Sequence, residues 1–258
     1  MLFYFTGTGN SLYVAKGLER QPISIPQVMH REDLTVSDDR IGIVAPIYGH
    51  EVPAMVREFL EKATFQTPYF YMILTYGNRH GGAAELAQEL CARCGIPVRY
   101  INLVHMVDNW LPVFDMEEEQ LAVIQTDVAQ KVAWIAPVTE ADRAAHQAFL
   151  AGMRLAPPDA WQHLLRVTQD CIGCGICQQV CPSASIRLVE DRAEHVPGRC
   201  QTCLACAHAC PRKAVQLTVP EKNPSARYRN PHVTLRELIQ ANQQPGCAGP
   251  AETEGGRV

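Results

Sequence analysis

The chain has 258 residues, 47% of them apolar, a length that exceeds one ordinary compact domain and can bury a substantial core without staples. Its net charge of −4 gives no reason to expect nucleic acid as a partner, and no apolar run approaches the roughly 20 residues of a membrane-spanning helix. Residues 1–160 hold 12 Lys/Arg against 19 Asp/Glu while residues 161–258 hold 11 against 8, so the cysteine-rich half is the positive one.

Met1 leads straight into an apolar run, with no basic leader and no small-residue cleavage site, and the expected location is therefore the cytoplasm. Five apolar runs read as strands: 2–5, 23–28, 41–48, 69–77 and 98–107. Helical patterns separate them near 10–20, 53–63 and 82–94, and a fourth, over 116–136, opens with Asp115 and Glu118 at capping-box spacing. Strands that are apolar throughout and alternate with helices predict a doubly wound, five-stranded parallel α/β sheet. Glu117, Glu118 and Glu119 read as acids at a helix N-terminus. A further helix is expected over 139–153, and "APPDA" at 156–160 reads as the seam between units.

The loop after the first strand, "FTGTGNS" at 5–11, has the makings of a phosphate cradle without a cation. Gly7 and Gly9 let the backbone close round an anion, Thr6, Thr8, Asn10 and Ser11 supply polar contacts, and the helix that follows adds its N-terminal dipole. A Walker loop would need a Lys here, and a dinucleotide fingerprint would need Gly where Leu12 stands. Cys91 and Cys94, in "CARCG", read as small buried residues ahead of a redox dithiol.

The strongest signal is C-x2-C-x2-C-x3-C-P, present at 171–182 and again 29 residues later at 200–211. This is the spacing of two-cluster ferredoxins, in which the fourth cysteine of each run ligates the other cluster. One [4Fe-4S] cluster is then expected on Cys171, Cys174, Cys177 and Cys210, and the second on Cys200, Cys203, Cys206 and Cys181. Zinc has no use for a third cysteine at the same step, and a reducing compartment disfavours disulfides. Gly173 and Gly175 let the first loop wrap closely, a service expected of Ala205, Ala207 and Ala209 in the second. The stretch "EKNPSARYR" after the repeat reads as a solvated flap ahead of a dock for an acidic donor, Thr234 and Glu237 form a capping box for a last short helix, and 245–258 is expected to be disordered.

The T-x-T-G-N-S run at 6–11 resembles the FMN-phosphate loop of flavodoxins. "PIYGHEVP" is similar to that family's second loop, which implies FMN contacts from Pro46, Ile47, Tyr48 and Gly49, and "TYGNRHGG" to the third, which implies them from Thr75, Tyr76, Gly77 and Asn78. Trp110, in "DNWLP" after the fifth strand, is expected near the flavin or at the seam. Together the two parts resemble the flavodoxin and two-[4Fe-4S] ferredoxin fusion proteins of anaerobic bacteria and archaea. The resemblance implies a flavodoxin-like FMN domain at 1–155, a small α+β bacterial-type ferredoxin domain with a C-terminal extension at 156–244, and redox proteins as partners. One departure is that the acidic, glycine-rich ring loop is replaced by one carrying Arg79 and His80, which would favour an anionic reduced flavin. An intracellular electron carrier is the leading expectation. The rival is a flavin-dependent reductase of a small molecule, with His50, His80 or His105 as proton donor; no catalytic residue is assigned.

Overall fold

The computed structural model describes residues 1–124, 132, 133, 144, 148, 151 and 160–244. In the first unit the elements are β1 (Leu2–Tyr4), α1 (Asn10–Leu18), β2 (Ile23–Ser24), α2 (Ile25–Val28), β3 (Thr35–Ser37), β4 (Ile41–Pro46), α3 (Ala54–Lys62), β5 (Thr64–Gln66), β6 (Phe70–Tyr76), α4 (Ala83–Arg93), β7 (Val98–His105), α5 (Met116–Ile124) and β8 (Val132–Ala133). The expected parallel sheet is present, with strands in the order β2-β1-β4-β6-β7. Its centre is buried on both faces: Ile41, Ile43, Val44, Phe70, Met72 and Leu74 all lie inside, which is why β4 and β6 read as unbroken apolar runs. Gly42 pairs with Tyr71 across these strands, and a Cβ there would stand 2.2 Å from the Tyr71 ring.

Two expectations need correction, and one element was not foreseen. The run 23–28 is a strand for only two residues and then turns into α2, whose Pro26 sits in the first helical turn, where a missing N–H does no harm. The pattern over 116–136 is not one helix: after α5, Val132–Ala133 forms β8, an antiparallel sixth strand that pairs with the otherwise open edge of β7. A second, two-stranded parallel sheet, β3 with β5, was not legible. Residues 144, 148 and 151 are helical; the rest of the helix expected over 139–153, most of the seam at 156–160 and the tail lie outside the described residues. Asp115 does cap α5, although its Oδ1 accepts from the Glu117 N–H at 2.9 Å, one residue before Glu118. Cys91 is a core residue whose Sγ lies 3.6 Å from Met72 Sδ.

The second unit is small. It comprises β9 (Leu165–Val167), α6 (Ile176–Gln179), β10 (Ile186–Val189), β11 (Arg192–His195), α7 (Ala205–Ala209), β12 (Val215–Leu217) and the last helix α8 (Leu235–Asn242). The two ends of the cysteine repeat meet where β9 pairs antiparallel with β12, and β10 and β11 form a hairpin. The α8 capping box forms as expected, and Glu237 also pairs with Lys16 of α1. Lys16 first, then Thr234, hold the Glu237 carboxyl down at about 2.

The units interlock. Val233, Leu238 and Ala241 from the C-terminal end join the core of the parallel sheet, with α8 against α2, whereas Val107, Leu111 and Met116 from the first unit pack into the core of the second. Among the described residues no helix is long and apolar enough to cross a membrane.

Candidate functional site

The loop between β1 and α1 is buried, and its polarity is sorted. Its carbonyls face partners from elsewhere in the chain: Thr6 O accepts from Asn242 Nδ2 at 3.0 Å, and Thr8 O from the Asn230 N–H at 2.9 Å. Its amides do not. Gly9 N–H donates to Thr6 Oγ1 at 3.1 Å, but those of Thr8, Asn10 and Ser11 have no acceptor among the described residues. The hydroxyls follow suit, since Thr6 and Thr8 accept internal bonds, the latter from Asn109 Nδ2 at 2.7 Å, and so keep their O–H groups to donate. Ser11 Oγ and Thr75 Oγ1 share one bond of 2.8 Å, which leaves one of the two hydrogens over. These donors surround a cavity of about 50 Å³, room for a few water-sized atoms such as the oxygens of a phosphate. Gly9, at φ 100°, makes the turn into α1, and a Cβ on Gly7 would lie 2.6 Å from Tyr48 Oη and 2.8 Å from Cys203 O.

Asn10 behaves differently from its neighbours. Its Nδ2 donates to Val107 O at 3.0 Å, while its Oδ1 accepts from Tyr228 Oη at 2.7 Å and Asn230 Nδ2 at 3.1 Å. Its side chain locks the loop, while the residue still borders the cavity.

The loops after β4 and β6 lie side by side because Pro46 is in register with Thr75, and Ile47 N–H donates to Thr75 O at 2.8 Å. Tyr48 and Glu51 exchange backbone bonds of 2.8 and 3.2 Å round Gly49 and His50, both at positive φ (57° and 70°), which makes a tight two-residue turn. Gly77 accommodates Asp108, whose carboxylate accepts from Asn78 N–H and Trp110 N–H, both at 3.0 Å; a Cβ on Gly77 would meet it at 2.4 Å. Beside the small cavity opens a cleft of about 870 Å³, within the usual range of ligand sites. Ile47 to His50, Gly77 to Arg79 and Trp110 form part of its lining, and Cys200, Gln201 and Thr202 form another. Of the three histidines considered as proton donors, His50 lines the cleft, whereas His80 and His105 pack on the Tyr76 ring at 5.5 and 5.3 Å.

Cys171, Cys174, Cys177 and Cys210 line one small cavity, and the Cys177 thiol, pushed up to about 12 chiefly by burial, feels Cys210, Cys174 and Cys171 in turn. Burial also raises Cys203 and Cys206, and the leading thiol neighbours there are Cys181, Cys203 and Cys200. Thiolates in such dry sites need a cationic partner. Among the described residues no group of three His, Cys, Asp or Glu side chains converges on a point suited to a single metal ion.

The repeat is physical as well as textual. Ser185 N–H donates to Cys181 Sγ at 3.1 Å, and 29 residues on Ala214 N–H donates to Cys210 Sγ at 3.2 Å. Positive φ recurs in the same way, at Gly173 and Thr202, Gly175 and Leu204, Ala184 and Lys213. The second loop therefore uses Thr202 and Leu204 where the first uses glycine, and Ala205, Ala207 and Ala209, expected to replace the glycines, all lie within α7.

A 4Fe-4S dicluster domain family matches residues 163–211. This region is a two-cluster ferredoxin domain. Within the chain 47 residues are 45% identical to one component of an ion-translocating oxidoreductase complex of Methanosarcina acetivorans, a match that takes in 18% of this chain and 18% of the length of that relative. Iron–sulfur electron transfer is thus the chemistry of the dicluster domain.

The dicluster domain is tied to the loops above the sheet by residues that sequence reasoning passed over. His208 in α7 accepts at Nδ1 from the Tyr228 N–H (3.1 Å), so its Nε2 is the one that donates to Asn109 O (2.9 Å); burial pushes its pKa down to about 4 and the ring is neutral. Ala226, Tyr228 and Asn230 are buried, and the stretch around them is a strap across the phosphate-like loop instead of a solvated flap. The only local signal for it was a Tyr and an Asn set among prolines.

Proposed function

We propose that this chain is a cytoplasmic electron-transfer protein in which FMN, held by the loops above the parallel sheet, exchanges electrons with two [4Fe-4S] clusters. The strand order and the position of the ligand loops at the C-terminal ends of the strands support a flavodoxin-like fold for residues 1–155, ahead of a ferredoxin domain with its extension at 156–244. The amides and hydroxyls of Thr6, Gly7, Thr8 and Ser11 fit a phosphate held by neutral donors, with Gly9, whose N–H is spent on Thr6 Oγ1, shaping the turn and the Asn10 side chain as the lock. Pro46, Ile47, Tyr48 and Gly49 on one side, and Thr75, Tyr76, Gly77 and Asn78 on the other, flank the place for the ring. The grouping of thiols supports Cys171, Cys174, Cys177 and Cys210 as ligands of one cluster and Cys181, Cys200, Cys203 and Cys206 of the second. FMN supplies one- or two-electron chemistry where each cluster carries a single electron.

The observation that carries this reading is the shared cleft: the loop of the second cluster, Cys200 to Thr202, lines the same space as the two ring loops. Redox proteins are then the partners, in keeping with the name of the oxidoreductase component that the cluster region resembles. After purification without oxygen the chain is expected to carry about eight irons and one FMN, measured by iron assay and flavin fluorescence after denaturation. Eight irons without flavin would leave the dicluster domain standing and remove the flavin from the scheme.

The size of the cleft favours a second reading, a reductase that admits a small molecule beside the flavin, with His50 as proton source. In that case His50→Ala abolishes flavin-dependent reduction of the small molecule at unchanged FMN content; an unaltered rate would dismiss His50 from that role.

A further inference from the structure

Cys203 reaches the loop at residues 6–11 directly, and the backbone around Cys206 and Cys181 reaches it through relayed hydrogen bonds, whereas the Cys171–Cys174 loop makes no such connection among the described residues. Tyr48 Oη, Cys203 O (2.8 Å) and Cys203 Cβ (3.2 Å) crowd the space beside Gly7. His208, between the ligands Cys206 and Cys210, holds Asn109, whose amide donates to Thr8. The same ring accepts from Tyr228, whose hydroxyl donates to Asn10, and Asn230 beside it bonds both Asn10 and Thr8. Asn242 ties Thr6 O to Val180 O, the residue next to Cys181. By contrast, Cys174 is exposed, Ile172 is 63% exposed, and the walls of the first cluster's cavity come from the cysteine loop, the β10–β11 hairpin and the start of β12.

We infer that filling of the Cys181, Cys200, Cys203 and Cys206 site and closure of the anion-binding loop at residues 6–11 are one linked event, in which the other cluster takes no part. The inference rests on the flavin reading for the identity of the anion, the phosphate of FMN, but not for the linkage itself. The physical reason is the sorting of the loop: its amides and hydroxyls point to the cavity only while its carbonyls and Asn10 are held from behind by the strap, His208 and α8, and those groups are in turn held by the backbone that carries Cys181, Cys203, Cys206 and Cys210. Two first-cluster ligands share this framework: the Cys210 backbone ends α7, and Cys177 sits on α6, which runs into Val180 and packs against α8, whereas Cys174 stands outside it. By reciprocity, FMN must hold the second cluster's iron as the cluster holds FMN.

The test uses the full chain loaded without oxygen, with Cys203→Ser and Cys174→Ser as a matched pair. Amide hydrogen exchange of residues 6–12 and titration with FMN are both measured. Cys203→Ser is expected to speed exchange in the loop at least tenfold and to weaken FMN by a factor of about 5 to 150, whereas Cys174→Ser leaves both unchanged. Equal effects from the two variants, or no effect from either, would overturn the inference. If the intact chain binds no FMN while Cys203→Ser alone loosens the loop, the flavin reading falls and the linkage stands. Should Cys203→Ser not fold, Tyr228→Phe, which leaves all eight ligand cysteines in place and removes only the bond to Asn10, must loosen the same loop for the inference to hold.

Discussion

Glu221→Ala is expected to destabilise the protein by about 3–5 kcal/mol, the largest single effect predicted outside the cysteines. Glu221 and Arg227 form an ion pair at 2.9 Å whose side chains are only 5% and 8% exposed. The carboxylate also accepts from the Leu217 N–H at 3.0 Å at the end of β12, and the guanidinium donates from Nε to Ala207 O at 3.1 Å, in the turn of α7 that carries Cys206. Removing the acid leaves a buried cation with Nη2 already lacking a hydrogen-bond partner among the described residues, beside a strap whose place depends on it. The exposed Arg187–Glu194 pair in the β10–β11 hairpin is the control: at 64% and 47% exposure its loss is expected to change stability by at most about 1 kcal/mol. The check is the guanidinium midpoint followed without oxygen by both circular dichroism and cluster absorbance. Because much of the loss comes from stranding one charge, Glu221→Leu combined with Arg227→Met should recover a good part of it, and failure of the double variant to do so would locate the effect in the Ala207 contact instead.

This pair also marks where reading the sequence stops working. The parallel sheet was legible because β4 and β6 are buried on both faces and so carry their environment in an unbroken apolar run. The α8 capping box was legible because Thr234 and Glu237 satisfy each other three residues apart. The dicluster domain was legible because its cysteine spacing is written in the sequence. None of these conditions holds for the strap. Tyr228, Asn230 and Asn242 are fixed by bonds to residues 218 to 236 positions away, and no periodicity records such partners. Thr202 and Leu204 defeated the composition rule for a related reason: their left-handed backbone is imposed by the repeat, so glycine marks the first copy only. The strand β8 was hidden because an edge strand is defined by what it pairs with, here β7, and not by its own pattern.

The same repeat yields the second large effect, at Gly173. An alanine there is expected to cost roughly 2–5 kcal/mol, the sum of a left-handed residue and an overpacked contact, and to empty the first cluster, so that iron falls from about eight to about four per chain. Gly173 has φ +66°, and its Cβ would stand 2.2 Å from Asp191 O. That carbonyl cannot retreat freely, because Glu190 and Asp191, both at positive φ, make the two-residue turn between Val189 and Arg192, and the next residue of the hairpin, Ala193, donates its N–H to Cys171 Sγ at 3.5 Å. Any shift that relieves the clash therefore moves the donor to Cys171 Sγ. Gly175→Ala separates the two contributions: its φ is +74°, but the nearest atoms are side-chain ends at 3.5 and 3.6 Å, so only the backbone preference, about 1–2 kcal/mol, is lost and all eight irons stay. Thr202, at the position equivalent to Gly173, shows that a side chain is compatible with the loop when no hairpin presses on it. If Gly173→Ala kept eight irons and matched Gly175→Ala in stability, the hairpin would have room to give, and the first cluster would owe its geometry to the cysteine loop alone.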